Sequence, residues 1–282
     1  MADTPITLQK RGFLATLRTD RWWVEPLLVL CGLGAFIIYA TWAAFQGTHY
    51  WFDAGVQGFG GYLSPFYSPV VYTDVGAAGS APLYHALLGS WPEWWPSWFP
   101  ASPAFIILIF PLSFRFTCYY YRGAYYKAFA GTPPACAVGS IPRKPGKYRG
   151  ESFIMVFQNL HRYTLYVAII FIPILYADAI AAFFRGGQFG VGVGSIILLT
   201  NATLLACYTF GCHSWRHLIG GRKDCFSCSG AGRIGYGVYQ KVSWLNRRHK
   251  LFAWASLVFV GFSDFYVRMV SSGVITDLNT WG

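Results

Sequence analysis

The chain alternates between long apolar segments and polar, mostly basic connections. Each of five apolar segments has roughly the 20 residues that an α-helix needs to cross the hydrocarbon core of a bilayer. They lie at residues 26–45, 104–121, 163–184, 191–212 and 251–270. The pattern therefore predicts an all-α membrane protein, in which a bundle of five transmembrane helices forms one transmembrane domain over residues 1–282.

The second apolar segment is interrupted by Pro111 and Arg115. Proline is tolerated inside a spanning helix where neighbouring helices or water bind the carbonyl that loses its partner. Arg115 lies near the end of the segment, so its guanidinium can extend to the interface. We therefore expect this segment to span the membrane despite both interruptions.

Further charges fall inside the predicted spans, at Asp178, Asp264 and Arg268. Charges within a membrane are costly and usually face the bundle interior or a cavity. Asp264 and Arg268 are four residues apart, so they can pair along one face of a helix. The sequence leaves open whether this is a structural ion pair, part of a proton path or part of an outer quinone pocket.

Lysine and arginine set the orientation of the bundle, because cytoplasmic connections carry an excess of them. The N-terminal tail has four, residues 122–149 have six and residues 216–250 have eight. Residues 46–102 and the tail after Arg268 have none. We therefore expect a cytoplasmic N-terminus and a C-terminus outside. The net charge of +11 follows from this bias and does not indicate a nucleic-acid partner.

Composition agrees with a membrane protein. Charged residues make up 12% of the chain, against about 25% in a soluble domain. Residues 46–102 are rich in aromatic side chains, which settle at the headgroup level of a bilayer. We predict that this segment forms an interfacial cap on the outer face, with a quinone or lipid pocket as the alternative. The cysteines lie within the spans or on the reducing inner side, where free thiols are expected.

Candidate metal chemistry lies in residues 213–250, which we predict to be a cytoplasmic metal-binding loop. His213 and His217 are four apart, so on a helix they share one face. Cys225 and Cys228 form a C-x-x-C pair, whose spacing lets two thiolates reach one metal. This ligand set serves a structural zinc and also a Rieske-type [2Fe–2S] cluster. The spacing does not decide between zinc, an iron–sulfur cluster and no metal.

Other residues near this loop are substitute ligands. Cys212 directly precedes it, and His249 stands at the start of the fifth span. His161 stands at the start of the third span, so it shares the predicted inner face with His249 and the loop histidines. Together they can bind a haem, add a ligand to a cluster or supply protons to a quinone.

The five spans, the basic inner face and the His/Cys motif of residues 213–228 resemble the single-chain membrane anchor of actinobacterial-type succinate dehydrogenases. The segment SFRFTCYYYR at residues 113–122 and the tyrosines at 125–126 are also similar to that family. The resemblance implies an anchor in the plasma membrane that docks a flavoprotein subunit and an iron–sulfur subunit on the cytoplasmic side. Such a chain is a non-flavin subunit and is not active alone.

The resemblance also implies the electron path. Electrons from succinate would pass through the soluble subunits to a membrane-embedded Rieske-type [2Fe–2S] cluster, instead of haem, and then to menaquinone. This favours iron–sulfur over zinc at His213, His217, Cys225 and Cys228, with Cys212 as a substitute ligand.

Quinone reduction takes up two electrons and two protons, so its pocket must offer proton donors. Candidates near the predicted inner face are His161, Arg115, Tyr119, Trp215 and Arg216. The docking surface would use basic residues of the two inner connections, namely Lys144, Lys147, Arg222, Lys223 and Arg233.

Two other classes of protein stay open. One is a haem b-containing, quinone-reducing anchor in which His161 and either His249 or His213 are axial ligands. The other is a membrane transport or assembly protein with a structural zinc site. The absence of internal sequence repeats argues against a secondary transporter.

Overall fold

The computed structural model describes residues 12–53, 60–140, 150–221, 225–228 and 230–281, apart from the side chains of residues 150–158 and 231. These residues are mainly helical, with two short antiparallel hairpins. The helices are α1 (Val24–Gln46), α2 (Ala104–Ile107), α3 (Ile109–Thr117), α4 (Tyr119–Ala128), α5 (Gly150–Ala181), α6 (Val193–Phe210), α7 (His213–Gly220), α8 (Gly230–Arg247) and α9 (His249–Ser271). The hairpins pair β1 (Trp51–Phe52) with β2 (Tyr62–Leu63), and β3 (Phe184–Arg185) with β4 (Gln188–Phe189).

Four of these helices are long and apolar enough to cross a membrane, namely α1, α6, α9 and the Asn159–Ala181 part of α5. The bent pair formed by residues 104–117 and α4 makes a fifth when it is counted as one span. The predicted helical membrane architecture is confirmed at this level, with four or five candidate spans.

The predicted second span, residues 104–121, is broken at Cys118. Cys118 has extended backbone angles (φ −64°, ψ 130°), and α4 leaves at 80° to the preceding helix. Just before the break, the Thr117 hydroxyl donates to the Ser113 carbonyl at 2.8 Å, a local hydrogen bond that bends helices. The break leaves Cys118 buried inside the bundle.

Helix α6 packs against α5 and α9, and α3 packs against α5. Small residues are fully buried where these helices meet, among them Ala202, Ala253 and Ser256. Within a membrane, small residues let helix backbones approach closely. The outward faces carry exposed large apolar side chains such as Ile38 and Ile170, as a lipid-facing surface requires.

The two ends of the bundle differ chemically. The end where Cys118, Cys212 and His249 lie is termed the histidine end. The opposite end, covered by residues 47–53 and 60–103, is termed the aromatic end.

The aromatic end combines buried tyrosines with exposed tryptophans. The buried rings of Tyr50 and Tyr67 stack with centroids 4.2 Å apart. Trp94 and Trp98 are 72% and 82% exposed, as rings at the headgroup level of a bilayer would be. The interfacial role of this segment stays a prediction.

The Asp264–Arg268 pair is buried near the aromatic end. Arg268 Nε donates to Asp264 Oδ2 at 2.7 Å, and the side chains are 3% and 0% exposed. The other partners are hydroxyls and carbonyls: Tyr39 and Ser64 donate to the carboxylate, and the guanidinium donates to the Thr48 and Ala43 carbonyls and to the Tyr67 hydroxyl. The pairing predicted from the four-residue spacing is present, and both charges are compensated by hydrogen bonds.

Most of the described part of residues 213–250 is helical rather than a loop, because it forms α7, α8 and the start of α9. Helix α7 packs against α8, and α8 also contacts α6 and α9. The amphipathic pattern of α8, with Val242 buried and Ile234 exposed, lacks the uniform apolarity of the spans. Hydropathy alone therefore does not reveal this helix.

Candidate functional site

The structure does not bring together the four metal ligands predicted from the sequence. His213 and His217 lie exposed on α7, where His217 Nδ1 is 3.1 Å from the donor Nη2 of Arg162. Cys225 and Cys228 are joined to each other in a disulfide. Within the described residues, no group of three or more His, Cys, Asp or Glu side chains is arranged to hold a single metal ion.

The disulfide corrects the expectation of free thiols at Cys225 and Cys228. Their Cα atoms are 5.7 Å apart, within the usual range for a disulfide. Phe226, between them, packs against the rings of Tyr236 and Tyr239 on α8. The C-x-x-C pair is therefore held against α8.

Of the five predicted docking residues, Arg233 lies among the described residues. Arg233 is exposed on α8. The others lie outside the described residues, namely Lys144, Lys147, Arg222 and Lys223.

A different set of cysteines and histidines meets at the histidine end. Cys118 lies at the break after α3, His161 in the first turn of the apolar part of α5, Cys212 just after α6, and His249 at the start of α9. His161 Nε2 is 3.0 Å from Cys212 Sγ, and His249 Nε2 is 3.5 Å from Cys118 Sγ. Cys118 and Cys212 also belong to one buried cluster of side chains. We term these four residues the Cys/His quartet.

Two aromatic rings line the quartet. Phe114 stacks on the His161 imidazole at 4.7 Å, and Tyr208 stacks on the His249 imidazole at 4.9 Å. Phe114 and Tyr208 also contact each other edge to face at 5.5 Å. This pair, termed the aromatic wall, fixes the planes of both imidazoles and covers them with apolar surface.

The second nitrogens of the two imidazoles differ in their surroundings. His161 Nδ1 is 2.9 Å from the Thr117 hydroxyl. His249 Nδ1 is buried and has no hydrogen-bond partner among the described residues. A buried polar atom without a partner is unusual in a folded protein, so His249 has an open ligand position.

Cys212 caps the N-terminus of α7. Its sulfur accepts a hydrogen bond from the Ser214 backbone N–H at 3.3 Å. Burial raises the pKa of the Cys212 thiol, and the N–H groups of Trp215 and Ser214 oppose part of that shift. The positive end of the helix would stabilise the thiolate form on binding a metal.

Arg115 lies beside the aromatic wall. It donates to the Tyr121 hydroxyl at 2.7 Å, the Ala253 carbonyl at 3.3 Å and the Ser256 hydroxyl at 2.9 Å. Its Cζ is 4.6 Å from the centroid of the Tyr208 ring. No carboxylate of the described residues forms an ion pair with it, so its hydrogen-bond partners are neutral.

The five residues proposed for a quinone pocket are only partly brought together. His161 belongs to the quartet, and Arg115 contacts the aromatic wall beside it. Trp215 packs against the end of α6, and Arg216 donates to two hydroxyls on α8 at 2.7 and 3.0 Å. Tyr119 is 69% exposed.

Sequence reasoning missed Cys118 as a ligand candidate. Cys118 and His249 are separated by 131 positions in the chain, so no local spacing connects them. The available signal was positional, since Cys118, His161, Cys212 and His249 all stand near inner ends of predicted spans. The family-like segment at residues 113–122 also contains Cys118.

A family model described as actinobacterial succinate dehydrogenase subunit SdhC matches residues 24–273. The chain belongs to this family. It is also similar to a chain of the solved Mycobacterium smegmatis Sdh1 complex in the apo form, with 45% sequence identity and a TM-score of 0.80. The match covers 95% of this chain and 94% of that chain. No curated protein gives a significant match.

Membership of the SdhC family confirms the resemblance seen in the sequence. The chain is the membrane-anchor subunit of a succinate dehydrogenase and so a non-catalytic part of an enzyme complex. Its apolar helices fit a multi-pass membrane protein. All four residues of the Cys/His quartet lie inside the matched range.

Proposed function

We propose that this SdhC-family chain carries electrons from the soluble subunits of succinate dehydrogenase to menaquinone through a Rieske-type [2Fe–2S] cluster. The ligands would be Cys118, His161, Cys212 and His249, rather than the set suggested by local sequence spacing. The observation that carries the proposal is that two thiols and two imidazoles from four separate places in the chain meet at one end of the bundle.

The donor set fits such a cluster. A Rieske-type centre has two thiolates on one iron and two imidazoles on the other, and the quartet supplies two thiols and two imidazoles. The open Nδ1 of His249 adds a ligand position.

When bound, the cluster would accept and release one electron at a potential above that of an all-cysteine cluster. The chain supplies the surroundings. The aromatic wall excludes water from the imidazoles, and Thr117 holds the ring of His161, as hydrogen-bond partners do for metal-binding histidines. The Ser214 N–H stabilises the Cys212 sulfur.

The histidine end would face the cytoplasm, with the flavoprotein and iron–sulfur subunits docked against it. The basic tail and connections support this orientation, since residues 122–149 and 216–250 carry six and eight Lys or Arg residues. The plasma membrane is the expected location of such an anchor. Electrons would then enter at the end of the bundle where the quartet lies.

Menaquinone would bind near the same end. With His161 assigned to the cluster, the remaining candidates for its pocket are Arg115, Tyr119, Trp215 and Arg216. An arginine and a tyrosine hydroxyl are donors that suit the quinone carbonyl oxygens.

The test compares two sets of variants in the purified complex. Cys118→Ser and His249→Ala remove quartet residues, and the matched controls Cys228→Ser and His217→Ala remove residues chosen by spacing. Iron, acid-labile sulfide and low-temperature EPR are measured. We expect the wild type and controls to hold about two irons per anchor chain beyond those of the iron–sulfur subunit, and both quartet variants to lose these irons and the Rieske-type EPR signal.

An EPR signal that survives in the quartet variants and disappears in the controls would contradict the proposal and support ligands in the C-x-x-C region. A Soret band in the anchor would favour the haem b alternative. Stoichiometric zinc without iron in this chain would exclude the proposal.

A further inference from the structure

We propose that Arg115 raises the reduction potential of the centre held by the Cys/His quartet, because it is a membrane-level cation without a carboxylate partner. The inference rests on the proposed function, since it needs a redox centre at the quartet. Arg115 is thus assigned an electrostatic role toward the centre, separate from the ligands themselves.

The charge of Arg115 has no carboxylate partner among the described residues. A guanidinium at membrane depth is costly unless an anion or a set of hydrogen bonds compensates it. The three acceptors of Arg115 are two hydroxyls and one backbone carbonyl, all neutral. Within the described residues its positive charge is therefore solvated but not neutralised.

Arg115 lies close to a histidine of the Cys/His quartet. The Cζ atom of Arg115 is 4.6 Å from the Tyr208 ring centroid, and that ring stacks on the His249 imidazole at 4.9 Å. Arg115 also donates to the carbonyl of Ala253, one turn after His249 on α9. The cation is therefore separated from a ligand of the centre by a single aromatic ring.

Reduction would change the net charge of the proposed centre. Two ferric ions, two sulfides, two thiolates and two neutral imidazoles sum to zero charge. One electron from the soluble iron–sulfur subunit would reduce one ferric ion to ferrous and make such a centre singly negative. A cation about 10 Å away at an effective dielectric constant of about 20 favours the charged form by roughly tenfold. Arg115 therefore stabilises the reduced form.

The experiment is a redox titration of the purified complex, followed by the EPR signal of the reduced centre. Arg115→Gln keeps hydrogen-bonding capacity and removes the charge. We expect the equilibrium constant for reduction to fall about tenfold, which is about 59 mV for a one-electron couple. Arg115→Lys keeps the charge and is expected to stay close to the wild-type potential.

A matched control is Arg185→Gln at the aromatic end, where the guanidinium lies 3.3 Å from the Asp277 carboxylate. Its potential should equal that of the wild type. An intact EPR signal with an unshifted potential in Arg115→Gln would overturn the inference, as would an equal fall in Arg115→Lys.

If Arg115→Gln does not assemble a centre, Tyr121→Phe provides the second variant. It removes the 2.7 Å hydrogen bond that holds the guanidinium, so the charge can move away and the potential should fall by a smaller step. An unchanged potential in Tyr121→Phe would then contradict the inference. Absence of a Rieske-type signal in the wild-type complex would instead defeat the proposed function.

Discussion

Arg268 and Arg115 lie near opposite ends of the bundle, and their guanidinium groups have different hydrogen-bond partners. Arg268, at the aromatic end, is 3% exposed and donates to the Asp264 carboxylate at 2.7 Å. Arg115, at the histidine end, donates only to hydroxyls and a carbonyl. The same intramembrane cost is met by a full counter-charge in one place and by neutral dipoles in the other. The charge of Arg268 is therefore neutralised by a carboxylate, whereas the charge of Arg115 is not and lies near the proposed redox centre.

Two buried polar atoms at the histidine end lack a normal hydrogen-bond partner among the described residues. His249 Nδ1 lacks a partner among the described residues, and the buried Tyr208 hydroxyl lies beside the Cys118 thiol without a hydrogen bond of normal geometry. The Asp264 carboxylate, by comparison, accepts three hydrogen bonds. Buried polar groups without partners often mark functional positions. Buried polar atoms without partners among the described residues also occur at the aromatic end, namely His49 Nδ1, Trp51 Nε1, Trp91 Nε1 and Arg185 Nε, so the contrast between the ends rests on the two arginines.

The largest expected effect is at the Asp264–Arg268 pair. Asp264→Asn removes the counter-charge and leaves Arg268 buried, so the complex should lose about 3–5 kcal/mol of stability. Thermal and denaturant unfolding of the purified complex measure this loss. The double variant Asp264→Leu with Arg268→Met should recover most of it. An unchanged unfolding midpoint in Asp264→Asn would remove the distinction between the two ends.

A second test uses one substitution type at both ends, beginning with Tyr62→Phe. The Tyr62 hydroxyl accepts from Arg185 at 2.8 Å and donates to Asp277 at 2.7 Å. Burial raises the pKa of Tyr62, and the Asp277 carboxylate adds to that shift, so the hydroxyl stays a protonated donor. Its removal leaves a buried carboxylate short of a partner and should cost about 1–3 kcal/mol.

Tyr208→Phe is the matched substitution at the histidine end. It removes a hydroxyl that makes no normal hydrogen bond while keeping the ring that stacks on His249. The same unfolding assay should give a change below about 0.5 kcal/mol, because no satisfied hydrogen bond is lost. A loss as large as that of Tyr62→Phe would show that Tyr208 is as fully bonded as the aromatic end.

The smallest effect is expected at the surface of the histidine end. Lys250 Nζ is 2.7 Å from Glu25 Oε1, and the side chains are 62% and 74% exposed. Glu25→Gln should therefore change stability by less than about 1 kcal/mol. Added salt should remove even that difference. A larger and salt-independent loss would mean that this pair is shielded from water in the complex.

Much of the fold follows from local sequence patterns. Uniform apolar runs predicted the long spans, and the four-residue spacing predicted the Asp264–Arg268 contact on α9. Helix α8 was missed because it is amphipathic. The break at Cys118 was missed because Thr117 and Cys118 carry no strong helix-breaking signal such as proline or glycine.

The candidate site was harder to predict for a physical reason. Spacing reveals ligands that one helix or loop brings together, which favoured His213, His217, Cys225 and Cys228. The quartet instead depends on how helices pack, and its closest contacts join residues 51 and 131 positions apart. Cys212 and His249 were therefore predicted only as substitute ligands, and His161 as a quinone or haem residue. The sequence indicated that these residues share a depth in the membrane, but not which of them contact each other.

The place of His249 at the start of α9 has a consequence for biogenesis. Helix α9 follows the other candidate spans of the described residues, so it is synthesised after the segments that carry Cys118, His161 and Cys212. Under the proposed function, a cofactor held by all four side chains would enter only once α9 has been inserted and docked. A chain that stalls during translation would therefore remain unloaded, and cofactor content would report directly on the completion of membrane insertion.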